Sequence, residues 1–68
     1  MRDPARIQEV VATLRGIWHQ VPDLRLGQLL INCTHDIGTD LFYIEDDVLL
    51  QRLKDYAKTL KETSTNGR

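Results

Sequence analysis

The chain has 68 residues, nine basic and ten acidic side chains, and a single cysteine, Cys33. A chain this short forms one domain and buries only roughly 60% of its unfolded surface, enough for one small core and no second one. The even charge balance lacks the basic excess of a general polyphosphate binder, one cysteine rules out an intramolecular disulfide, and no apolar run approaches the roughly 20 residues of a membrane span.

Nothing in the opening "MRDPARIQEV" supplies the apolar core of a signal peptide. The expectation is a soluble, cytoplasmic protein with no membrane contact. Asp3-Pro4 starts the first element: an Asp carboxylate accepts from a free N–H of the first turn, and Pro at the next position loses no helical bond. Ile7, Val10, Val11, Leu14, Ile17 and Trp18 then recur at spacings of three and four, which predicts a helix from about Pro4 to His19. Arg6, Gln8, Glu9, Thr13 and Arg15 fall on the other, wetted face. Gly16, near the helix end, costs about 1 kcal/mol relative to Ala unless it admits a close neighbour.

"QVPD" breaks the pattern, because Pro22 disfavours helical geometry at Val21 and Asp23 can cap a new helix. A second helix is expected from Leu24 to about Cys33, burying Leu26, Leu29, Leu30 and Cys33. Leu24 and Ile31 exceed one narrow face, which suits a helix sandwiched between two others.

"THDIGTD" reads as a loop around Gly38. The next four residues, "LFYI", favour strands by residue type, yet a lone short strand has nothing to pair with. They are expected to form an apolar plug, extended or with one helical turn, that closes the gap between the helices. From Asp46 helical spacing returns with Leu49, Leu50, Leu53, Tyr56, Ala57 and Leu60, ending near Lys61 to Thr63. Glu45, Asp46 and Asp47 at its start, with Lys54, Lys58 and Lys61 toward its end, would complement the helix dipole by ~0.3–1 kcal/mol per charge. The predicted fold is all-α: a compact three-helix domain over residues 1–63, an irregular apolar loop at about 34–45, and a disordered tail at 64–68. Its core is expected to hold Leu14, Trp18, Leu29, Leu30, Phe42, Leu49 and Leu53.

Several clusters can be weighed as sites. Asp40, Glu45, Asp46 and Asp47 do not follow the alternating oxygen ligands and glycine turn of a calcium loop, so capping is the preferred reading. Cys33, His35, Asp36 and His19 contain one short "CTH" pair, not the two pairs of a structural zinc site. The same residues lack an oriented third group for nucleophilic catalysis. No metal, no cofactor and no catalytic residue is expected. Lys54, Lys58 and Lys61 form the one basic strip, interrupted by Asp55 and Glu62, and the segment 34–45 is too long for a helix-turn-helix turn. Nucleic acid therefore ranks behind protein as a partner.

"PDLRLGQLL" is the most distinctive segment: Arg25 and Gln28 lie on the outward side of the second helix, flattened by Gly27. Arg beside aromatic residues suits a protein interface. The competing reading has Arg25 tie the 34–45 loop through Asp40 or Glu45.

The stretches "WHQVPDLRLGQLLIN" and "DLFYIEDD", or W-x3-PDLRLGQLL and LFYIEDD, resemble a pattern in a family of short bacterial and phage proteins. There a Trp ends the first helix and the two blocks open the second and third. The likeness spans roughly Trp18 to Leu53. A looser similarity links the chain to YihD-like proteins, which share the Trp, the Pro-Asp-Leu and the Asp-Asp helix start but not the Arg-Leu-Gly-Gln wording. The resemblance implies a compact helical module of no established activity and transfers no catalytic residue.

The functional expectation is a small non-catalytic protein–protein interaction module, able to self-associate as a homodimer. Its contact surface would be Arg25, Gln28, Tyr43, Ile44 and Asp46. The alternative is a nucleic-acid-associated regulator using Lys54, Lys58 and Lys61.

Overall fold

Asp3 starts the first helix as its position predicts. In the computed structural model, which describes the backbone of residues 3–66 and the side chains of residues 3–61, its Oδ1 accepts from the Ala5 N–H at 2.9 Å. Helix α1 (Ala5–Gln20) comes next, within a residue of the expected span. At its end the Val21 N–H still reaches the Ile17 and Trp18 carbonyls, and Pro22 then takes the chain out of the helix.

Helix α2 (Leu26–Thr34) begins two residues later than expected, and Asp23 is not its cap. The reason lies in the turn. The Leu24 N–H bonds to the Val21 carbonyl at 3.1 Å, and the Leu24 carbonyl accepts the Trp18 indole N–H at 2.8 Å. Leu24 is thereby held outside the helix. Arg25 becomes the cap residue, its N–H donating to Gln28 Oε1 at 2.8 Å, the glutamine half of a capping box.

Beyond α2, Gly38 turns the chain with φ 86°, a conformation that L side chains rarely adopt. A single 3-10 turn, Leu41–Tyr43, leads into α3 (Asp46–Asn66). Helix α3 runs past Thr63, its expected end, because neither Gly nor Pro interrupts the run before Gly67. Of the expected tail, Gly67 and Arg68 lie outside the described residues. The extension leaves Lys54, Lys58 and Lys61 in mid-helix, with no basic residue in the last turn. Asp46 and Asp47, in the first turn, complement the dipole as expected, with Glu45 directly before them.

The three helices form an all-α domain in which α1 and α2 both pack on α3. At its centre lie Ile17, Leu29, Cys33 and Leu53. Val10, Leu14, Trp18, Leu30, Leu49, Tyr56 and Leu60 pack around them, partly buried. Ion pairs mark how the elements meet. Arg6 Nε to Asp46 Oδ2 at 2.6 Å and Lys54 Nζ to Glu9 Oε2 at 3.0 Å join α1 to α3 in the same chain sense. Arg52 to Asp36 at 2.7 Å ties the segment after α2 to α3.

Two buried assignments are overturned: Leu26, the first residue of α2, is 38% exposed, and Phe42 departs further. Phe42 is 85% exposed and plugs nothing. In a 3-10 turn, residues three apart share a side. Leu41 and Ile44 therefore lie on one side, half-buried, while Phe42 and Tyr43 are carried outward. The gap expected to need a plug is already filled by Ile17, Leu29 and Leu53. Leu14, Trp18, Leu30 and Leu49 take their expected places as half-buried residues packed against that centre.

Candidate functional site

Among the described residues, those singled out from the sequence as a contact surface fall on two elements, the start of α2 and the turn into α3, with no hydrogen bond or ion pair between the two groups. Arg25 is exposed at the start of α2, and its backbone N–H is taken by Gln28. Gln28 is exposed too, with its carbonyl oxygen committed to that cap. Asp46 is half-buried and bonded to Arg6, which makes it the joint between α3 and the first turn of α1. Ile44 is half-buried on the inner side of the 3-10 turn, and Tyr43 is displayed. The loop is tied by Arg52 through Asp36, not by the expected Arg25 pairing with Asp40 or Glu45. Among the described residues, no hydrogen bond, ion pair or ring contact joins Arg25 or Gln28 to the displayed aromatics.

Tyr43 has a neighbour in its exposure. The Phe42 and Tyr43 rings meet edge to face, with centroids 4.9 Å apart and planes at 86°. Edge-to-face contact places the positive ring edge against the negative face, which favours a fixed mutual orientation. With Tyr43 69% exposed, the pair makes an aromatic knob outside the helical core. Exposed Asp40 and Asp47 flank it in sequence. Asp47 accepts the Val48 N–H at 2.8 Å, so its carboxylate is held at the helix start.

A second apolar surface runs along α1. The core takes the Val10, Leu14, Ile17 and Val21 side of the helix, and leaves Ile7 and Val11 more than half exposed. Val11, Leu14, Arg15, Trp18, His19 and Pro22 line a shallow groove of about 490 Å³. Its walls are apolar except for Arg15 and His19. The Trp18 ring is fixed in the floor by its bond to Leu24. The periodicity that located α1 also contained this signal: Ile7, Val11, Leu14 and Trp18 form their own stripe, beside the one that faces α3.

Polar chemistry is sparse. Cys33 is buried, and burial pushes its thiol pKa up, which disfavours the nucleophilic thiolate. Asp36 is held below the ordinary carboxylate range, chiefly by its hydrogen bond from Arg52. Cys33, His35, Asp36 and Arg52 border a cleft of about 160 Å³, smaller than the roughly 300 Å³ of a minimal ligand pocket. Among the described residues, no three His, Cys, Asp or Glu side chains converge as a metal site. The basic strip is also divided. Lys54 is paired with Glu9 and Arg52 with Asp36, and Asp55, which accepts from Gln51, lies between them and Lys58.

No family model, curated protein or solved structure matches the chain. No helix among the described residues is long and apolar enough to cross a membrane.

Proposed function

We propose that the chain is a small non-catalytic protein–protein interaction module and that the 3-10 turn before α3 is its principal contact. The observation that carries this reading is the Phe42–Tyr43 pair. Two large aromatic side chains in edge-to-face contact, outside the core and beside acids, have the composition of an interface anchor. Their exposure contributes nothing to folding, and in water it costs solubility. Arg25 and Gln28 supply polar surface on α2, with Arg25 the freer because Gln28 is engaged in the cap. Ile44 and Asp46 support the turn from within.

The test is affinity capture from host lysate, with and without nuclease, using the wild-type chain, the Phe42→Ala/Tyr43→Ala double variant and Arg25→Ala. A nuclease-resistant protein partner lost with the double variant is the expected result. A partner that disappears on nuclease treatment, and depends on Lys54, Lys58 and Lys61, would replace this reading with nucleic-acid association. A partner retained by the aromatic variant would move the contact elsewhere.

A further inference from the structure

The aromatic knob and the α1 groove are complementary to each other. The knob presents two aromatic rings between carboxylates: Asp40 precedes it and Asp47 lies after it on the exposed side of the α3 start. The groove presents an apolar floor, about 490 Å³ in volume, with the Arg15 guanidinium and the His19 imidazole as its ionisable lining. An apolar body edged by acids thus matches an apolar cavity edged by donors. Arg15 is always charged and offers a planar fork of N–H groups suited to a carboxylate. Trp18 offers a ring face already oriented by its bond to Leu24, and aromatic residues pack well edge to face.

We propose that the occupant of the α1 groove is the Phe42–Tyr43 knob of a second copy of this chain. This rests on the reading of that knob as a contact surface and names its partner. Area decides the form of the assembly. The two rings hold out roughly 300 Å² at their observed exposures, so one knob in one shallow groove removes at most roughly 600 Å² from water, counting both sides. That is well below the ~1,200 Å² at which specific, stable complexes begin; two such contacts related by a twofold axis double it and stay at or under that value, in the range of weak, transient pairs. The assembly is therefore a reciprocal dimer, weak and concentration-dependent, in which each chain gives a knob and receives one.

Sedimentation of the full chain from about 10 μM to about 1 mM covers the affinity expected of so small an interface. Phe42→Ala and Val11→Glu both alter exposed positions, and far-UV circular dichroism of each checks that the helices persist. The wild type is expected to dimerise as concentration rises, and each variant to do so at least tenfold less tightly. An equimolar mixture of the two variants should associate better than either alone, because one intact knob then meets one intact groove. Added salt should weaken the wild-type dimer and affect Arg15→Gln less.

A chain that stays monomeric throughout overturns the dimer. A dimer abolished by Val11→Glu but indifferent to Phe42→Ala is a helix-to-helix pairing of α1, which also overturns it. The broader interaction reading is scored separately: a monomeric chain that loses a lysate partner on Phe42→Ala/Tyr43→Ala refutes self-association alone. If neither sedimentation nor lysate capture responds to the aromatic substitutions, both readings fall.

Discussion

Truncating Leu53 and Phe42 separates two accounts of what closes the core. Leu53 is fully buried where α1 and α2 both meet α3. Leu53→Ala loses the transfer free energy of the side chain and leaves a cavity, together ~2–5 kcal/mol. A chain of this length is stable by roughly 3–10 kcal/mol, so the loss takes a large share of the margin and, at the lower end of that range, all of it. Phe42 is 85% exposed. Only about 30 Å² of its ring is covered, and at ~25 cal/mol per Å² its removal costs below about 1 kcal/mol. The assay is urea unfolding at low micromolar protein, monitored by Trp18 fluorescence. The indole leaves a half-buried site and its bond to Leu24 when the chain unfolds. With a urea slope of about 1 kcal/mol per molar, Leu53→Ala moves the midpoint down by about 2 M or abolishes the transition, while Phe42→Ala moves it by less than about 1 M. If Phe42→Ala is as damaging as Leu53→Ala, the aromatic turn is packed into the core and the outward placement of its rings is wrong.

Individual contacts predict further outcomes. At Gly16 an added Cβ meets nothing within 4 Å, so Gly16→Ala should raise the urea midpoint by the helix-propensity difference, ~0.5–1 kcal/mol. Gln28→Ala, by removing the acceptor for the Arg25 N–H, should lower stability by ~0.5–1 kcal/mol; an unchanged midpoint would show that water replaces the cap without loss. Asp36 has a lowered pKa in the folded chain, so the stability it lends is complete above its ordinary value of 3.8 and is lost as pH falls through the lowered folded value. Urea midpoints against pH should therefore show a shallower acid decline in Asp36→Asn than in the wild type. Cys33, buried and with its thiol pushed up, should react slowly with a disulfide reagent in the folded chain and rapidly in urea; fast native labelling would place the sulfur at the surface.

The helices were legible because their signals are local. Asp3-Pro4 and the three-four spacing of α1 place that helix within a residue, since cap chemistry and amphipathic period both lie within the segment itself. The start of α2 was not legible, because it depends on a bond between elements. Asp23 is a good capping residue, yet the Trp18 indole takes the Leu24 carbonyl and moves the helix start to Leu26. Which side chains of the turn before α3 face inward was not legible for a related reason. Four consecutive apolar residues have no resolvable period, so "LFYI" could fill a gap or present half its side chains to water. A single 3-10 turn selects the second arrangement by pairing Leu41 with Ile44 on the inner side.

The same logic explains why the candidate surface on α1 was hidden within a correct reading. Ile7, Val10, Val11, Leu14, Ile17, Trp18 and Val21 form an apolar arc wider than one neighbouring helix can cover. From the sequence alone, any part of it could have been core. The ion pairs of Arg6 and Glu9 with α3 mark which part is. They flank the face of α1 that meets α3, where Val10 and Ile17 turn inward, and Ile7 and Val11 are left on the far edge of the arc. Exposed pairs of this kind contribute at most about 1 kcal/mol each to stability. Their larger consequence is rotational. Breaking both, with Arg6→Ala and Glu9→Ala, would remove the constraint on how α1 turns about its own axis. It should therefore alter the exposure of Val11 and Trp18 more than it alters the unfolding midpoint. Quenching of Trp18 fluorescence by a neutral solute reads that rotation directly, and unchanged quenching would mean that the core alone orients the helix.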